Sequence, residues 1–539
     1  MNKIVGFWQK KQRPPCFELL DISQLACLTR STHSVLFNES INQLGLGVDG
    51  EIVTEQQTIN DRFPVLGIIP PLYPEYLGDR SFQQVHNVRF SYVGGAMARG
   101  IASAELVIAL SETGMLGFFG SAGLSIGRLE KEIHTLKSKL DPQGLSWGMN
   151  LIHTPNELEL EMKTVELYLK SGVRKIEAAA FMSLSKAIVY YAFKGLSQQG
   201  DGSIRRMNHV FAKISRPEVV RHFLTPVPSE ILDALVAEGK LTEYEAQLGK
   251  NLCIAEDITV ESDSGGHTDG RPLGPLFSEI LQLRNQLSND LAYEVWPRIG
   301  VAGGLGTPSA IASAFALGAA YVCVGSVHQS CLESGISNTA KKMLSGAGLA
   351  DVTMTACADM FEQGVKVQVL KKGTIMPQRG NYLYSLYLNY KSIEELPERD
   401  RAKLEREIFR APLDEIWKET KTFFKRVEPS QVERAKTDAR HKMALIFRWY
   451  IGKSSQWPIQ EIKDRQLDYQ IWCSPAMGAF NQWVKGTFLE APENRSVKQV
   501  ALNLLEGAAM ITKVNQLKTY GVSIGEEAFF YSPTILQLT

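Results

Sequence analysis

The chain has 539 residues, 44% of them apolar, which is enough for a large hydrophobic core and more than one domain. Its 58 lysines and arginines balance its 58 aspartates and glutamates, so no overall charge favours a nucleic-acid or membrane partner. The seven cysteines form no CxxC pair, which argues against a disulfide framework or a zinc site and favours reduced thiols in the cytoplasm.

Residues 1–85 show no repeating pattern. They contain RPPC and IIPPLYPEYLG, whose prolines are typical of extended or turn structure. The N-terminus lacks the apolar core of a signal peptide, so we expect a cytoplasmic protein without a membrane partner. We interpret this segment as a small N-terminal region that leads into the main domain.

Between residues 86 and 350, short apolar runs alternate with stretches of helical periodicity. This alternation predicts parallel βαβ units, and about eight units in this length predict an α/β fold of the (β/α)8 TIM-barrel type. A doubly wound open sheet is the alternative. The runs are VRFSYVGG, GMLGFFG, LSWGMNLI, VRKIEAAA, HVFAKIS, LCIAEDITVES, VWPRIGVAGG and AAYVCVGS.

One connection within the predicted barrel is longer than the others. Residues 225–250 predict two short helices, and Thr242 and Glu245 at the start of the second have the spacing of a capping box. We expect this helical insert on a βα loop at the catalytic face, as a lid or as a decorated loop. Residues 351–539 predict a mainly helical C-terminal region that packs on the barrel or offers a partner surface.

Two glycine turns follow the last two predicted strands. Gly303 and Gly304 precede Thr307, a good N-cap residue, and Gly325 and Ser326 follow the next strand. Backbone without Cβ atoms can approach an anion closely, so the two turns predict a phosphate site. Tight packing of strand against helix is the alternative. The chain lacks a GxGxxG followed by a suitably placed acid, which argues against a Rossmann NAD site.

The stretch ESDSGGHTDGRP, residues 261–272, leaves the end of a predicted strand. There Gly265 and Gly266 would give room for a flat ring, and His267 would point over that ring. The unperturbed pKa of histidine lies near working pH, which suits a catalytic group. A structural histidine is the alternative.

Two polar residues inside predicted strands are further candidates. Asn150 can hydrogen-bond the edge of a heterocycle or cap the adjoining turn. Lys213 in an apolar strand needs a partner for its charge. That partner is either an electron-rich ring that becomes anionic on reduction or an acid on a neighbouring strand, such as Glu177 or Asp263.

Several motifs together resemble the nitronate monooxygenase and flavin enoyl reductase superfamily. The match is closer to the PfaD family of polyunsaturated fatty acid and polyketide biosynthesis proteins, and it covers nearly the whole chain from about Pro70. The resemblance rests on GGAMARGIASAELVIALSETGMLGFFGSAGL, GMNL, DSGGHTDGRP, AGG, GS, the helical insert, KMALIFRWYIGKSSQWP and DYQIWCSPAMGAFNQWVKGTFLE.

The resemblance implies a trans-acting enoyl reductase that binds FMN and uses NADPH or NADH as reductant. Hydride would pass from the flavin to the β-carbon of a 2-enoyl thioester on an acyl carrier protein of a megasynthase, and a homo-oligomer is possible. His267 would be catalytic, and no metal is implied. The implied cofactor-binding residues are Ala96, Met97, Asn150, Lys213, Asp263, Gly265, Gly266, Gly303, Gly304, Gly325 and Ser326.

The role of His267 stays open at this point. It would donate the α-proton or hydrogen-bond the thioester carbonyl, with Asp263 or Asp269 holding its tautomer. An acidic carrier protein would meet some of the arginines near the barrel mouth, and the candidates are Arg205, Arg206, Arg216 and Arg221. Ordinary surface charge is the alternative. Two functions are alternatives to the enoyl reductase: a nitronate monooxygenase-like flavin oxidase and a non-catalytic flavin-binding component of the synthase.

Overall fold

The computed structural model describes residues 4–11, 13–54, 62–155 and 157–538. Eight parallel strands close into a barrel in chain order, and the eighth pairs with the first. This confirms the predicted TIM barrel. The strands are Tyr92–Gly94 (β1), Leu116–Phe119 (β2), Gly148–Ile152 (β3), Lys175–Ala179 (β4), His209–Ile214 (β5), Asp257–Glu261 (β6), Arg298–Ala302 (β7) and Val322–Val324 (β8).

An outer layer of helices follows the strands, and Ile126–Leu140 illustrates why they form. Ser125 caps it by accepting a hydrogen bond from the backbone N–H of Arg128, and its buried leucines and isoleucine recur at helical spacing. The helices of this layer are Ala104–Glu112, Ile126–Leu140, Leu158–Ser171, Lys186–Phe193, Pro217–Leu224, Leu273–Asp290, Pro308–Ala316 and Asn338–Ser345.

Large aromatic side chains fill the interior of the barrel. Phe82, from the helix Arg80–His86, stacks on Tyr321 at 4.5 Å between ring centroids, and Phe211 meets both rings. Gly300 has no side chain because a Cβ would lie 2.4 Å from the ring of Tyr321. The aromatic filling makes this part of the barrel a packed core.

A buried ionic network joins strands β6 and β7 at their N-terminal ends. Arg298 donates to both oxygens of Asp257 at 2.6 and 2.8 Å, and the Nε2 atom of His86 lies 2.9 Å from the same carboxylate. Burial opposes ionisation of Asp257, but His86 and Arg298 hold its pKa well below the ordinary value. The positive charge of Arg298 is paired with the negative charge of Asp257. The network therefore links β6 to β7 at the N-terminal face of the barrel, opposite to the carboxyl ends of the strands.

The helical insert lies elsewhere than expected. Its helices, Ser229–Ala237 and Glu243–Gly249, follow the outer helix Pro217–Leu224, and the second one has the predicted capping box. They pack on Lys186–Phe193, where a Cβ at Gly249 would lie 2.6 Å from the ring of Phe193. The insert therefore joins the outer helical layer between a helix and β6, and the expectation of a βα-loop lid is wrong.

The N-terminal region forms a five-stranded antiparallel sheet, which the sequence did not indicate. The sheet packs on the long C-terminal helix Val497–Thr519, whose buried Lys513 donates hydrogen bonds to backbone carbonyls of residues 28, 29 and 31. The strands, in sheet order, are Gln43–Val48, His33–Asn38, Phe63–Ile69, Gly6–Gln9 and Glu51–Val53.

The C-terminal region is mainly helical, as predicted, but it begins with a β-hairpin. Strands Val352–Ala356 and Lys366–Leu370 pair with each other, and the second also pairs with Gly266–His267. The domain boundaries at residues 85 and 350 stay predictions. The helices are Met376–Asn389, Glu398–Lys403, the π-helical Leu404–Phe409, Leu413–Val427, Pro429–Arg434, Ala439–Ser454, Trp457–Gln460, Pro475–Trp483 and Val497–Thr519.

Two further observations bear on the expectations from composition. All seven cysteines fall within the described residues and carry free thiols. Among the described helices, none combines the length and the apolarity needed to cross a membrane.

Candidate functional site

The candidate residues gather at the carboxyl ends of the barrel strands, and Lys213 on β5 lies in a cluster of charges. Its Nζ is 3.4 Å from Glu177 Oε2 on β4 and 3.7 Å from Glu261 Oε1 at the end of β6. Burial lowers the pKa of Lys213, but the two carboxylates outweigh it and raise that pKa above its ordinary value. Lys213 is therefore a permanent cation, and one of its two predicted acid partners, Glu177, is correct.

Glu177 links three elements of the site. The backbone N–H of Ala96, just beyond β1, donates to its Oε2 at 3.1 Å. The side-chain amide of Asn150 on β3 donates to the Glu177 backbone carbonyl at 2.9 Å. Met97 accepts a backbone hydrogen bond from Ala102 and packs against the main core. Ala96 and Lys213 thus meet the buried carboxylate of Glu177, and Asn150 meets its backbone carbonyl.

The glycines of the two turns differ in the space that surrounds them. Gly303 has a φ of +88°, and a Cβ there would lie 2.5 Å from Ser262 Oγ and 2.8 Å from the carbonyl oxygen of Asp263. By contrast, a Cβ at Gly304 or at Gly325 would meet no protein atom within 4 Å. Gly303 is therefore required by packing, whereas Gly304 and Gly325 border open space.

The helix after the first turn begins as the sequence predicts. Thr307 caps Pro308–Ala316 by accepting from the N–H of Ala310, and Pro308 is its first residue. Ser326, after the second turn, accepts a hydrogen bond at 3.1 Å from Ser474 Oγ, just before the C-terminal helix Pro475–Trp483. Two helix N-termini and two open glycine turns thus lie at this edge, an arrangement that suits a bound anion.

The double glycine before His267 packs against the C-terminal region. A Cβ at Gly265 would lie 2.9 Å from the backbone nitrogen of Cys473, and Gly266 has a φ of +83°. Asp263 accepts a hydrogen bond at 2.8 Å from Gln368 of the hairpin. Both glycines therefore have structural reasons to lack a side chain, beyond the room for a ring that the sequence suggested.

His267 is half-exposed at the barrel mouth. Its Nε2 lies 3.5 Å from Asp359 Oδ1, in the loop between the hairpin strands. Burial lowers the pKa of His267, but the contact with Asp359 raises it above the ordinary value. Neither of the two acids expected to hold this histidine does so: Asp263 binds Gln368, and Asp269 forms a two-point ion pair with Arg216.

The arginines expected at a carrier-protein surface are divided between the two barrel ends. Arg205 and Arg206 precede β5 and so lie at the N-terminal face. Arg206 donates to the Cys253 carbonyl at 2.6 Å, and its Nε is 3.9 Å from Glu256 Oε1. Arg216 follows the end of β5, and Asp269 engages it. The expectation of Arg205 and Arg206 near the mouth is wrong.

Sequence reasoning missed several residues of this site. Glu261 is the last residue of β6. It lies on the same face of the strand as Thr259, the residue paired with Lys213, so strand alternation would have identified it. The C-terminal contributions have no local signal, because only the folded chain brings them to the barrel. They are Asp359, Gln368, Cys473 and Ser474.

A family model and a crystal structure are similar to parts of this chain. The family model for the inserted helical domain of [acyl-carrier-protein] S-malonyltransferase matches residues 390–469, in the helical C-terminal region. The crystal structure of the enoyl reductase domain of MlnA, from the macrolactin biosynthesis cluster of Bacillus amyloliquefaciens, has a TM-score of 0.79 and 36% sequence identity. That alignment covers 83% of this chain and 99% of the MlnA domain.

Two curated relatives are longer proteins. A component of the polyunsaturated fatty acid synthase of Thraustochytrium is 42% identical over 87% of this chain, which spans 32% of that relative. Polyketide biosynthesis protein PksE of Bacillus subtilis is 41% identical over 81% of this chain, which spans 56% of it. Since the match to the MlnA enoyl reductase domain covers nearly all of that domain, the chain belongs to the same family, which its motifs identify as the PfaD family.

Proposed function

We propose that this chain is an FMN-dependent enoyl reductase that acts in trans on 2-enoyl thioesters. Its substrates would be carried on acyl carrier protein domains of a polyunsaturated fatty acid or polyketide synthase, and NADPH or NADH would be the reductant. The observation that carries the proposal is the similarity to the MlnA enoyl reductase domain over 99% of that domain. The names of the curated relatives support a megasynthase as the partner.

The residues at the strand ends fit a flavin mononucleotide. Gly304 and Gly325 border open space, and backbone N–H groups at this edge would bind the phosphate, with Ser326 as a further donor. The charge of Lys213 and the side-chain amide of Asn150 suit the polar edge of a ring. When bound, FMN would supply hydride to the β-carbon of the enoyl chain.

The remaining proposed contacts come from the loops at the carboxyl ends of the barrel strands. The backbone of Ala96 and Met97 would pack against the ring, and Gly265 and Gly266 would line it. Gly303 lies against the backbone of Asp263, so the two would shape the phosphate loop together. Glu177 keeps the Ala96 N–H engaged, which holds the β1 loop in one conformation.

His267 is the candidate for the substrate side. Its half-exposed ring lies at the mouth, where a thioester on a carrier arm would enter. A protonated ring would transfer a proton to the α-carbon, or it would donate a hydrogen bond to the thioester carbonyl as negative charge develops there. Both roles need an N–H directed at the substrate.

An anaerobic stopped-flow experiment tests the proposal. The purified protein is reduced with NADPH, the loss of flavin absorbance is recorded, and a short 2-enoyl thioester is then added. We expect the thioester to reoxidise the flavin. A flavin that stays reduced would contradict enoyl reduction, and oxygen uptake with nitroalkanes without NADPH consumption would indicate a nitronate oxidase. A protein without flavin absorbance would indicate a scaffold component.

A further inference from the structure

The C-terminal hairpin holds the candidate catalytic histidine in place. The short strand Gly266–His267 pairs antiparallel with Lys366–Leu370, and His267 lies opposite Val367. The hairpin partner Val352–Ala356 completes a three-stranded sheet outside the barrel. The backbone of His267 is therefore fixed by residues beyond the barrel.

The same hairpin supplies the carboxylate that faces the histidine. Asp359 lies in the loop between the hairpin strands, and its Oδ1 is 3.5 Å from His267 Nε2. The backbone N–H of Cys357 donates to the Val365 carbonyl at 3.1 Å, which closes the base of this loop. His267 lies in this small sheet and Asp359 in the loop that joins two of its strands, so the hairpin brings the two side chains together.

The other charges near His267 favour an ionised Asp359. The carboxylate of Glu261, at the end of β6, acts on the histidine in the same direction as Asp359. Arg99 on the β1 loop and Arg448 on the helix Ala439–Ser454 both feel the charge of Asp359. The charges of these two arginines therefore act on the carboxylate in addition to the histidine, and they favour its anionic form.

The donor atoms of His267, Cys357 and Asp359 lie within 4.8 Å of one another, a spacing that a metal ion could bridge. The positive charges of Arg99 and Arg448 disfavour a further cation beside Asp359. Burial and the nearby carboxylate of Asp359 raise the pKa of the Cys357 thiol, which disfavours the thiolate that a metal would need. The geometry therefore suits an ion pair better than a metal site.

We propose that Asp359 is a positioning residue that orients the ring of His267 and stabilises its protonated form. This inference rests on the proposed enoyl reductase function. The contact uses Nε2 and leaves Nδ1 for the substrate. A neutral ring that keeps its proton on Nε2, facing Asp359, has only an acceptor at Nδ1, so Nδ1 donates only when the ring is charged. Asp359 would thus decide whether His267 is a donor at working pH.

The substitution Asp359→Asn tests this role, since the amide keeps the size of the side chain and removes its charge. Asp359→Glu, which retains a carboxylate, is the conservative comparison. Asp269→Asn is the matched control, because that carboxylate lies close in sequence to His267 but pairs with Arg216. Circular dichroism and flavin absorbance confirm that each variant is folded and loaded.

The first readout is independent of turnover. In holoprotein with labelled histidine, the His267 signal is identified by its loss in His267→Gln and titrated by NMR. We expect the pKa of His267 to fall in Asp359→Asn, to be largely kept in Asp359→Glu, and to be unchanged in Asp269→Asn. An unchanged titration in Asp359→Asn would overturn the inference.

The second readout is the pH profile of thioester reduction. In Asp359→Asn, we expect the alkaline limb of kcat to move to lower pH, with kcat at pH 8 lower by up to about fivefold and less change at pH 6, because both side chains of the ion pair are partly exposed. An equal loss at both pH values would mean that Asp359 is merely structural. If the wild-type protein reduces no enoyl thioester, the proposed function fails, while the NMR titration still tests the ion pair separately.

Discussion

The substitution Gly325→Ala separates cofactor binding from folding. Gly325 has a φ of −124° and a ψ of −70°, outside the left-handed region, and a Cβ there would meet no protein atom within 4 Å. We therefore expect the free energy of unfolding of the protein without flavin to change by less than about 0.5 kcal/mol. In the proposed complex, however, the new methyl group would occupy space beside the FMN phosphate.

The expected loss of affinity follows from the hydrogen bonds that the methyl group displaces. One charge-assisted hydrogen bond from backbone N–H to phosphate contributes about 1.5–3 kcal/mol, so the Kd for FMN should rise about 10- to 150-fold. The Kd is measured by titrating apoprotein with FMN and following flavin fluorescence, and stability is measured by thermal unfolding.

Gly127→Ala is the matched control for Gly325→Ala. Gly127 lies at the start of the helix Ile126–Leu140 after β2, and its Cβ would also meet no atom within 4 Å. This variant should bind FMN like the wild type. If Gly325→Ala binds FMN with unchanged Kd, the open space beside Gly325 is not the phosphate site and the placement of the cofactor is wrong.

Three further predictions test the site. His267→Ala should keep the flavin absorbance and lower enoyl turnover about 100- to 10,000-fold; loss of the flavin would indicate a structural histidine. Gly303→Ala should lower the unfolding temperature more than Gly304→Ala, because both carry a positive φ but only Gly303 lacks space for a Cβ. Lys213→Met should cost about 3–5 kcal/mol of stability, since it leaves Glu177 buried without its cation. Burial raises the pKa of Glu177 and the charge of Lys213 opposes that rise, so losing the charge raises this pKa further. The loss of stability should therefore be larger at pH 8 than at pH 5 in thermal unfolding, whereas Lys213→Arg should show little pH dependence.

The barrel could be predicted from sequence because its signals are local. Each βα unit has an apolar run followed by a stretch of helical periodicity, and all eight barrel strands fall within the predicted runs. The N-terminal sheet has no such signal. Its strand Phe63–Ile69 lies between His33–Asn38 and Gly6–Gln9, and that pairing order follows from contacts between distant segments.

One acid partner of Lys213 could be predicted from sequence and physical chemistry alone. A buried cation requires a nearby acid, and this requirement alone selected Glu177 correctly. The choice of Asp263 as the other candidate was wrong because it lies two residues beyond Glu261, which ends β6 and is the second carboxylate in contact with Lys213. The predicted run already ended at Ser262, so the strand end itself favoured Glu261 over Asp263.

The arginine hypothesis is wrong for Arg205 and Arg206 for a different reason. Residues just before a parallel barrel strand lie at the N-terminal face, so Arg205 and Arg206 before β5 lie away from the mouth. The position of Arg205 and Arg206 before the predicted run HVFAKIS already indicated the N-terminal face. Asp359, by contrast, follows the barrel in sequence and reaches His267 only through the hairpin, so no local rule could have identified it.

The C-terminal region contacts the candidate site at three separate points. Gln368 donates to Asp263, Asp359 faces His267, and Ser474 donates to Ser326 beside the proposed phosphate turn. These contacts reach both the proposed substrate side and the proposed phosphate side. The barrel residues alone would leave His267 without its carboxylate, and we therefore infer that the C-terminal region completes the site and is more than a surface for a partner.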